Sequence, residues 1–227
     1  MSLLPERYFR YFTYLKHRLL LHKCLLTLRS VGVNIEPYYF YRESTKAFIN
    51  DNSGWNSKRW KQYEFFEGHE SAIKEIAKFG KNSAKSCQEM LQDLSRGQRC
   101  FLIKHHGKTV SSVWVDLSEI NFPPLRRGLN SNEGYLFRGE TVYEYRGKNI
   151  AFYLKSKMNE LLLKEGREYL FSYVDYFNHP AIRFKQKTGA TKLLTGLSIE
   201  LWGFKKNWTI INHERRSYEK KSFTPAL

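Results

Sequence analysis

The segment VYEYRGKNIAFYLKSKM, residues 142–158, passes from a strand-like run through Arg-Gly-Lys-Asn directly into a helix-like run. A turn of this kind points backbone N–H groups outward, at the positive end of the dipole of the following helix. Gly147 and Ala151 are small enough to let the backbone approach a ligand, and Arg146 and Lys148 add positive charge. This pattern favours the binding of a phosphate-bearing anion.

The composition indicates anionic partners for the whole chain. Lys and Arg number 38 among the 227 residues, against 22 Asp and Glu, which gives a net charge of +16. Such an excess attracts nucleic acid, acidic lipid headgroups or a phosphorylated cofactor, and charge alone does not choose among them. The hydrophobic content of 41% is enough for one well-filled α/β domain with a terminal appendage.

The cysteines and the most apolar run exclude several classes of protein. Cys24, Cys87 and Cys100 are odd in number and lack Cys-x-x-Cys spacing, so we expect neither a disulfide framework nor a metal site. The run LLLHKCLLTL is interrupted by His22 and Lys23 and is followed by no small-residue cleavage site, which argues against a secretory signal and a spanning helix. We therefore expect a cytoplasmic protein.

Shifts in composition divide the chain into three parts. We expect a basic amphipathic helix within residues 1–32, a main domain over 33–210 and a basic tail over 211–227. The helix should run from Pro5 to about residue 29, and one apolar stripe collects Tyr8, Phe12, Leu15, Leu19 and Leu26. A helix docked on the core of the same chain is favoured, and an interfacial membrane anchor with the same pattern is left open.

The main domain shows strands first and alternating strands and helices later. We predict a strand at 33–43, a loop at 51–66, helices at 69–80 and 83–96, a hairpin turning at residues 106–108, a strand at 135–143, a helix at 149–165, a strand at 168–177, a short helix at 178–190 and final strand material at 191–204. The sheet should therefore be mixed, antiparallel first and parallel about the 142–174 crossover.

Two of these segments resemble motifs of the GNAT acetyltransferase superfamily. YRGKNIAFYLKSKMNELLLKEG resembles motif A, with its core Arg/Gln-x-x-Gly-x-Gly/Ala, and NHPAIRFKQKTGA resembles the motif that follows it. RGQRCFLIKHHGKTVSSVWV is similar to the second and third strands of that fold, so the resemblance spans roughly residues 67–204. It implies an α/β (α+β) fold, a GNAT-like mixed central sheet flanked by helices, to which the N-terminal amphipathic helix is an addition.

The resemblance implies that the turn from Arg146 to Ala151 wraps the pyrophosphate of acetyl-CoA, with no metal required. A backbone N–H at about Val142 or Tyr143 would hold the thioester carbonyl oxygen. Asn149 stands where the family usually carries its middle glycine. The residues expected to bind acetyl-CoA are Val142, Tyr143, Arg146, Gly147, Lys148, Asn149, Ile150, Ala151 and Asn178.

The catalytic groups are less well defined by the resemblance. Lys185 stands where a tyrosine of the family commonly protonates the departing thiolate, so Lys185 itself, Tyr176, Tyr173 or Tyr143 could serve as the acid, and a reaction without a dedicated acid is left open. Glu140 is the expected general base, because it lies in the strand that should flank the acetyl group. Glu144 and Asp175 compete with it.

The implied reaction is transfer of an acetyl group to the primary amine of a small molecule, by direct attack in a ternary complex. An amino sugar or another envelope precursor is the favoured acceptor, and Arg126 and Arg127 in the connector PPLRRGLN are expected to attract an anionic one. The alternatives are a catalytically weak binding module for RNA or anionic lipid, and a transferase of a longer acyl or an aminoacyl group. Peripheral contact with an anionic membrane and a dimer are left open, and nucleic acid is less favoured.

Overall fold

The computed structural model describes residues 20–51, 60–77, 83–122, 125–202 and 204–208. The helices are α1 (20–30), α2 (Thr45–Asp51), α3 (Glu70–Ala77), α4 (Ser83–Ser95), α5 (Ile150–Lys164) and α6 (His179–Lys187). The strands are β1 (Val33–Ser44), β2 (Tyr63–Gly68), β3 (Arg99–His105), β4 (Lys108–Asp116), β5 (Glu119–Ile120), β6 (Arg127–Gly128), β7 (Glu133–Thr141), β8 (Tyr169–Asp175), β9 (Thr191–Leu201) and β10 (Phe204–Trp208).

Eight of these strands form one mixed sheet, in the order β10-β9-β1-β8-β7-β4-β3-β2, while β5 and β6 pair separately. Neighbours in the large sheet are antiparallel, except β7 and β8, which run parallel. Helix α5 makes the crossover between those two strands, as a parallel pair requires. The predicted mixed sheet with its parallel step at this crossover is confirmed.

One prediction about the strands was wrong, and another was confirmed. The predicted loop at 51–66 includes the start of β2, where Tyr63 pairs with His105, and Phe65 stacks on Phe101 with ring centroids 5.8 Å apart. The final strand material predicted at 191–204 is confirmed as β9 and the start of β10, and these two strands pair antiparallel, with Phe204 opposite Leu201. Residues 52–59, in the rest of the predicted loop, lie outside the described part of the chain.

Strand β1 lies in the middle of the sheet, between β8 and β9. Tyr38 pairs with Asp175 on one side and with Gly196 on the other. A Cβ atom at Gly196 would come within 2.1 Å of Cζ of Tyr38, so this position has no room for a side chain. The segment after α1 is therefore built into the sheet.

The two faces of the sheet carry different helices. Phe101 and Ile103 belong to the core cluster that α5 completes, whereas Cys100 and Leu102 belong to the cluster covered by α3 and α4. Successive residues of a strand point to opposite faces, so α5 lies on one face and α3 with α4 on the other. None of the helices in the described part of the chain is both long and apolar enough to cross a membrane.

Helix α1 was predicted within a longer helix from Pro5 to about residue 29, and its described part ends at residue 30. Tyr8, Phe12, Leu15 and Leu19 of the predicted stripe lie outside the described residues. Leu26, the fifth member, is 51% exposed, so its expected burial was wrong. The contact with the domain is made one turn earlier on the same side of the helix, where His22 stacks on Phe177 with ring centroids 4.4 Å apart.

Candidate active site

A gap opens between the two parallel strands of the sheet. Pairing between β7 and β8 ends at Leu136 and Ser172, although β7 continues to Thr141 and β8 to Asp175. Beyond this point each strand keeps only its outer neighbour, β4 for β7 and β1 for β8. The backbone edges that face the gap therefore have no strand partner among the described residues.

A bulge in β7 bends the strand away from β8. Phe137 pairs with Trp114 and Glu140 pairs with Ser112, so β7 carries one extra residue over this stretch. Arg138, within the bulge, has a φ of 44°. A bulge of this kind kinks its strand and increases the local twist, which is the physical cause of the gap.

The backbone amides of Val142 and Tyr143, which are expected to bind the thioester oxygen, lie beyond the bulge and differ in whether they already donate a hydrogen bond. The N–H of Val142 donates to the carbonyl oxygen of Val110 over 2.9 Å, so it is already used. Tyr143 begins the short 3-10 turn Tyr143–Tyr145, and the N–H of the first residue of such a turn has no partner within the turn. Of the two, the Tyr143 amide is the better candidate.

The turn that precedes α5 has the backbone that the sequence pattern requires. Gly147 has a φ of 75°, and Asn149, the N-cap of α5, has a φ of 63°. A Cβ atom at Gly147 would meet no atom within 4 Å, so its backbone conformation, and not crowding, favours glycine here. The Asn149 side chain forms no capping hydrogen bond, so it does not compete for the first N–H groups of α5, such as those of Ile150 and Ala151.

Cations and aromatic rings surround this turn. Nε of Arg146 donates to the carbonyl oxygen of Thr141 over 3.0 Å, and Nζ of Lys148 lies 5.1 Å from the centre of the Tyr145 ring. The Tyr145 hydroxyl is 2.8 Å from Nδ1 of His105. Loss of solvent around the imidazole, with the nearby charges of His106 and Lys148, lowers the pKa of His105. The surroundings of the turn therefore favour a negatively charged ligand.

Helix α6, on the far side of the gap, begins as predicted. Oδ1 of Asn178 accepts a hydrogen bond from the N–H of Ala181 over 3.2 Å, and Pro180 lies in the first turn. The N-cap role of Asn178 is confirmed. Its expected contact with acetyl-CoA stays a prediction.

Lys185 is buried in an ion-pair cluster formed with β1 and α5. Its ammonium group donates to Oε1 of Glu43, and Lys155 pairs with the other carboxylate oxygen. All three side chains are at most 9% exposed. Burial opposes the charge of the Glu43 carboxylate, but the two ammonium groups outweigh it and lower the pKa of Glu43 to about 2. The Lys185 ammonium group, one of the candidate general acids, is therefore already engaged in an ion pair with Glu43.

Sequence reasoning missed Glu43 and Lys155. Glu43 ends the aromatic run YYFYRE, where a carboxylate resembles an ordinary strand-end charge. Only the position of β1 beside β8 brings it under α5 and α6. No local signal in the sequence indicates that contact.

The expected base and the alternative acid lie on opposite sides of the gap. Glu140 is exposed on β7 beyond the bulge, and its carbonyl oxygen accepts a hydrogen bond from Ser111. Tyr176 follows β8, its N–H donates to Pro37, and its ring contacts Tyr39 at a centroid distance of 5.3 Å. The structure thus brings both residues to the end of the sheet where the gap is open.

The two arginines of the connector differ in their partners. Arg127 forms two hydrogen bonds with the carboxylate of Glu133, of 2.7 and 3.1 Å, so its charge is neutralised within the fold. Arg126 is exposed and donates to the side-chain oxygen of Asn121 over 2.7 Å. Arg126 is therefore the more available of the two for a ligand.

A cavity of about 170 Å³ lies beside the bulge, on the α4 side of β7. Its lining combines hydrogen-bonding groups with aromatic rings: Asp93, Gln98, Asn121, Tyr135, Phe137 and Arg138. Gln98 is 6% exposed, and its Nε2 donates to Asp116 over 2.7 Å. Its Oε1 accepts no hydrogen bond from the residues that the structure describes, so the cavity offers an acceptor to a small polar ligand.

Comparison with known proteins finds solved structures with a similar fold. No protein-family model matches the chain, and no curated protein sequence matches it significantly. A conserved protein of unknown function from Staphylococcus epidermidis superposes with a TM-score of 0.55 at 10% identity, over 77% of this chain and 65% of that one. An acetyltransferase of the GNAT family from Colwellia psychrerythraea superposes with a TM-score of 0.52 at 12% identity, over 74% of this chain and 57% of that one.

The chain has the GNAT fold. A further similar structure is a glucosamine N-acetyltransferase region in a fungal multi-domain β-N-acetylglucosaminidase, with a TM-score of 0.52 and 13% identity, over 79% of this chain and 23% of that one. The chain thus spans less than two thirds of each of these three proteins. Within this GNAT fold, the segment that resembles motif A forms the turn before α5, and the second motif forms α6.

Proposed function

We propose that this chain transfers an acetyl group from acetyl-CoA to the primary amine of a small molecule. One observation carries the proposal. The turn at 146–149 has left-handed backbone at Gly147 and Asn149, and it follows the strand that borders the gap after the short 3-10 turn Tyr143–Tyr145. It leads into a helix whose first N–H groups receive no side-chain cap from Asn149.

The residues at this turn fit a pyrophosphate group. Gly147 has open space around its Cα, so phosphate oxygens can approach the backbone closely. The helix dipole of α5 and the nearby Arg146 and Lys148 favour negative charge. The thioester would then lie in the gap between β7 and β8, near the N–H of Tyr143.

The reaction needs three functions from the chain. The amine nitrogen attacks the thioester carbonyl carbon, the C–N bond forms, the C–S bond breaks, and coenzyme A leaves as its thiolate. We assign removal of the amine proton to Glu140, stabilisation of the developing oxyanion to the Tyr143 N–H, and protonation of the thiolate to Tyr176. Lys185 is the weaker candidate for the last role, because Glu43 holds its ammonium group.

The acceptor would approach from the face opposite to α5. The cavity beside Phe137 and Arg138 opens at the point where β7 leaves β8. Asn121 lines this cavity and accepts a hydrogen bond from exposed Arg126, so the connector that carries Arg126 borders the cavity. A polar lining with two aromatic rings suits a small hydroxyl-bearing amine such as an amino sugar. The fungal neighbour's glucosamine N-acetyltransferase activity agrees with that class of acceptor.

A second candidate is a binding module with weak catalysis, for RNA or anionic lipid. It is favoured by the departure of Asn149 from the usual glycine, by the burial of Lys185 in an ion pair, and by the net charge of +16. A third is transfer of a longer acyl or an aminoacyl group by the same site. Measured turnover separates these possibilities.

Two assays on the purified chain test the proposal. Calorimetry should show binding of acetyl-CoA, and a thiol reagent should detect coenzyme A released in the presence of an amine from a panel of amino sugars, polyamines and amino acids. Arg146→Glu should weaken acetyl-CoA binding, because it reverses a charge beside the pyrophosphate. Absence of both binding and thiol release would refute the proposal. Binding without release for every amine and acyl-CoA would favour the binding module.

A further inference from the structure

An apolar patch faces solvent on α1 and at the end of β9. Its members, called the apolar patch below, are Leu20, Leu21, Cys24, Leu28, Val31, Leu201 and Trp202, and all are exposed. Val31 is 60% exposed and Trp202 is 74% exposed. Large apolar side chains grouped at this level of exposure are typical of a docking surface.

The apolar patch lies on a side of α1 that does not contact the domain. At about 100° per residue, Leu20, Leu21, Cys24 and Leu28 fall within a stripe about 100° wide. His22, which stacks on Phe177, and half-buried Leu25 lie outside that stripe. The helix is thus docked by one side and presents its apolar stripe on another.

The turn between β9 and β10 extends the stripe beyond the helix. The Trp202 N–H donates to the carbonyl oxygen of Gly32 over 2.8 Å. A Cβ atom at Gly32 would come within 2.7 Å of Cδ1 of Trp202, so the indole lies directly on this glycine. Trp202 and Val31 are therefore held side by side by the backbone, and the apolar patch combines two elements in one fixed surface.

Both charged residues of α1 are cations, while half-buried Glu200 precedes Leu201 on β9. Lys23 and Arg29 on α1 are exposed. Between Glu6 and Glu36 the sequence has no acidic residue, but it has six cations, Arg7, Arg10, Lys16, Arg18, Lys23 and Arg29. An apolar stripe flanked by the exposed cations Lys23 and Arg29 is complementary to a surface with an apolar interior and anionic headgroups, and tryptophan is favoured at such an interface.

We propose that the apolar patch docks on the surface of an anionic lipid bilayer, with α1 lying in the plane of the interface. The described helices are too short or too polar to span a bilayer, so the contact is peripheral. This inference goes beyond acetyl transfer and does not depend on it. It would hold the gap and its acceptor near a membrane.

Sedimentation with sucrose-loaded vesicles tests the docking. The full chain should sediment at low salt with phosphatidylcholine vesicles that contain phosphatidylglycerol, and much less with phosphatidylcholine alone. Raising the salt concentration should release it. Failure to sediment with the anionic vesicles at low salt would overturn the proposal.

Variants identify the surface. Leu28→Glu with Trp202→Ser should reduce the vesicle-bound fraction at least ~10-fold. Both substitutions remove apolar area that docking would bury in the bilayer, and Leu28→Glu also adds a negative charge. Phe66→Ser, at a residue that is 40% exposed on β2, should bind vesicles as the wild type does. Lys23→Glu with Arg29→Glu, both at exposed positions, should also weaken binding ~10-fold and serves as the test if the first pair does not fold.

The variants also exclude other occupants. Equal vesicle binding by the wild type and both double variants would overturn the assignment of this surface. A second outcome would also overturn it. If the wild type is a dimer in size-exclusion chromatography and Trp202→Ser makes it a monomer without changing vesicle binding, the apolar patch is covered by a second copy of the chain.

Discussion

The hydroxyl group of Tyr145 lies 2.8 Å from Nδ1 of His105, and this contact joins the end of β3 to the segment that leads into the turn at 146–149. The two rings meet edge to face with centroids 5.5 Å apart, and Tyr63 stacks on the imidazole from β2. Strands β2 and β3, on the β7 side of the gap, thus position a turn that is otherwise exposed. We therefore expect the turn to be sensitive to substitution of a residue outside it.

Tyr145→Phe should weaken acetyl-CoA binding without changing the fold. The variant removes one hydrogen bond, whose net value of about 0.5–1.5 kcal/mol corresponds to roughly 2- to 10-fold in Kd. Calorimetry measures it, with Tyr169→Phe at the start of β8 as the control. Identical affinities in the two variants would show that the His105 contact does not order the turn.

Glu43→Gln should be among the most destabilising single substitutions in the chain. It leaves Lys155 and Lys185 buried together without a counter-charge, and breaking a buried ion pair in this way typically costs about 3–5 kcal/mol. Urea unfolding followed by circular dichroism gives the free energy of unfolding. Glu36→Gln, at a half-buried position on the same strand, is the control and should lose much less. Similar losses would contradict the role given to the cluster.

The same carboxylate should make stability depend on acid pH. The pKa of Glu43 is lowered from 4.5 to about 2 in the folded chain, so the unfolded chain binds its proton first as the pH falls. The stabilisation is complete above pH 4.5 and is lost as the pH falls from 4.5 towards 2. The difference in unfolding free energy between wild type and Glu43→Gln should shrink over that range. A difference that is constant with pH would be inconsistent with a charged Glu43.

Arg126 is expected to contribute to ligand binding, and Arg127 is expected to contribute to the stability of the fold. Arg127→Ala should lower the free energy of unfolding by about 1–3 kcal/mol, because Glu133 then loses its partner while it is 10% exposed. Arg126→Ala should leave stability nearly unchanged and raise the KM of an anionic acceptor without changing acetyl-CoA affinity. Thermal unfolding and steady-state kinetics measure the two effects. If both variants alter both quantities equally, the distinction fails.

Local chemistry made some features predictable from the sequence, and long-range pairing determined the rest. Gly147 and Asn149 marked a left-handed turn, and Asn178 with Pro180 marked the start of α6, because these residue types act on their own backbone. The place of β1 between β8 and β9 is set by pairings between distant residues, and no local sequence pattern specifies these pairings. Tyr38, for example, pairs with Gly196, which is 158 positions away in the sequence. The Glu43 cluster and the cavity at Gln98 depend on such pairings, so they appear only in the structure.

The binding of acetyl-CoA to a Gly147→Val variant tests the central claim most directly. Gly166, at the other end of α5, provides a matched control, because its φ is 82° against 75° for Gly147 and a Cβ atom at either glycine meets nothing within 4 Å. Both substitutions impose the same kind of backbone strain, but only one lies in the turn that is assigned to the pyrophosphate. Calorimetry should show at least ~10-fold weaker binding for Gly147→Val, equivalent to about 1.4 kcal/mol, and near wild-type binding for Gly166→Val. Equal affinity in the two variants, or wild-type affinity in Gly147→Val, would contradict the assignment.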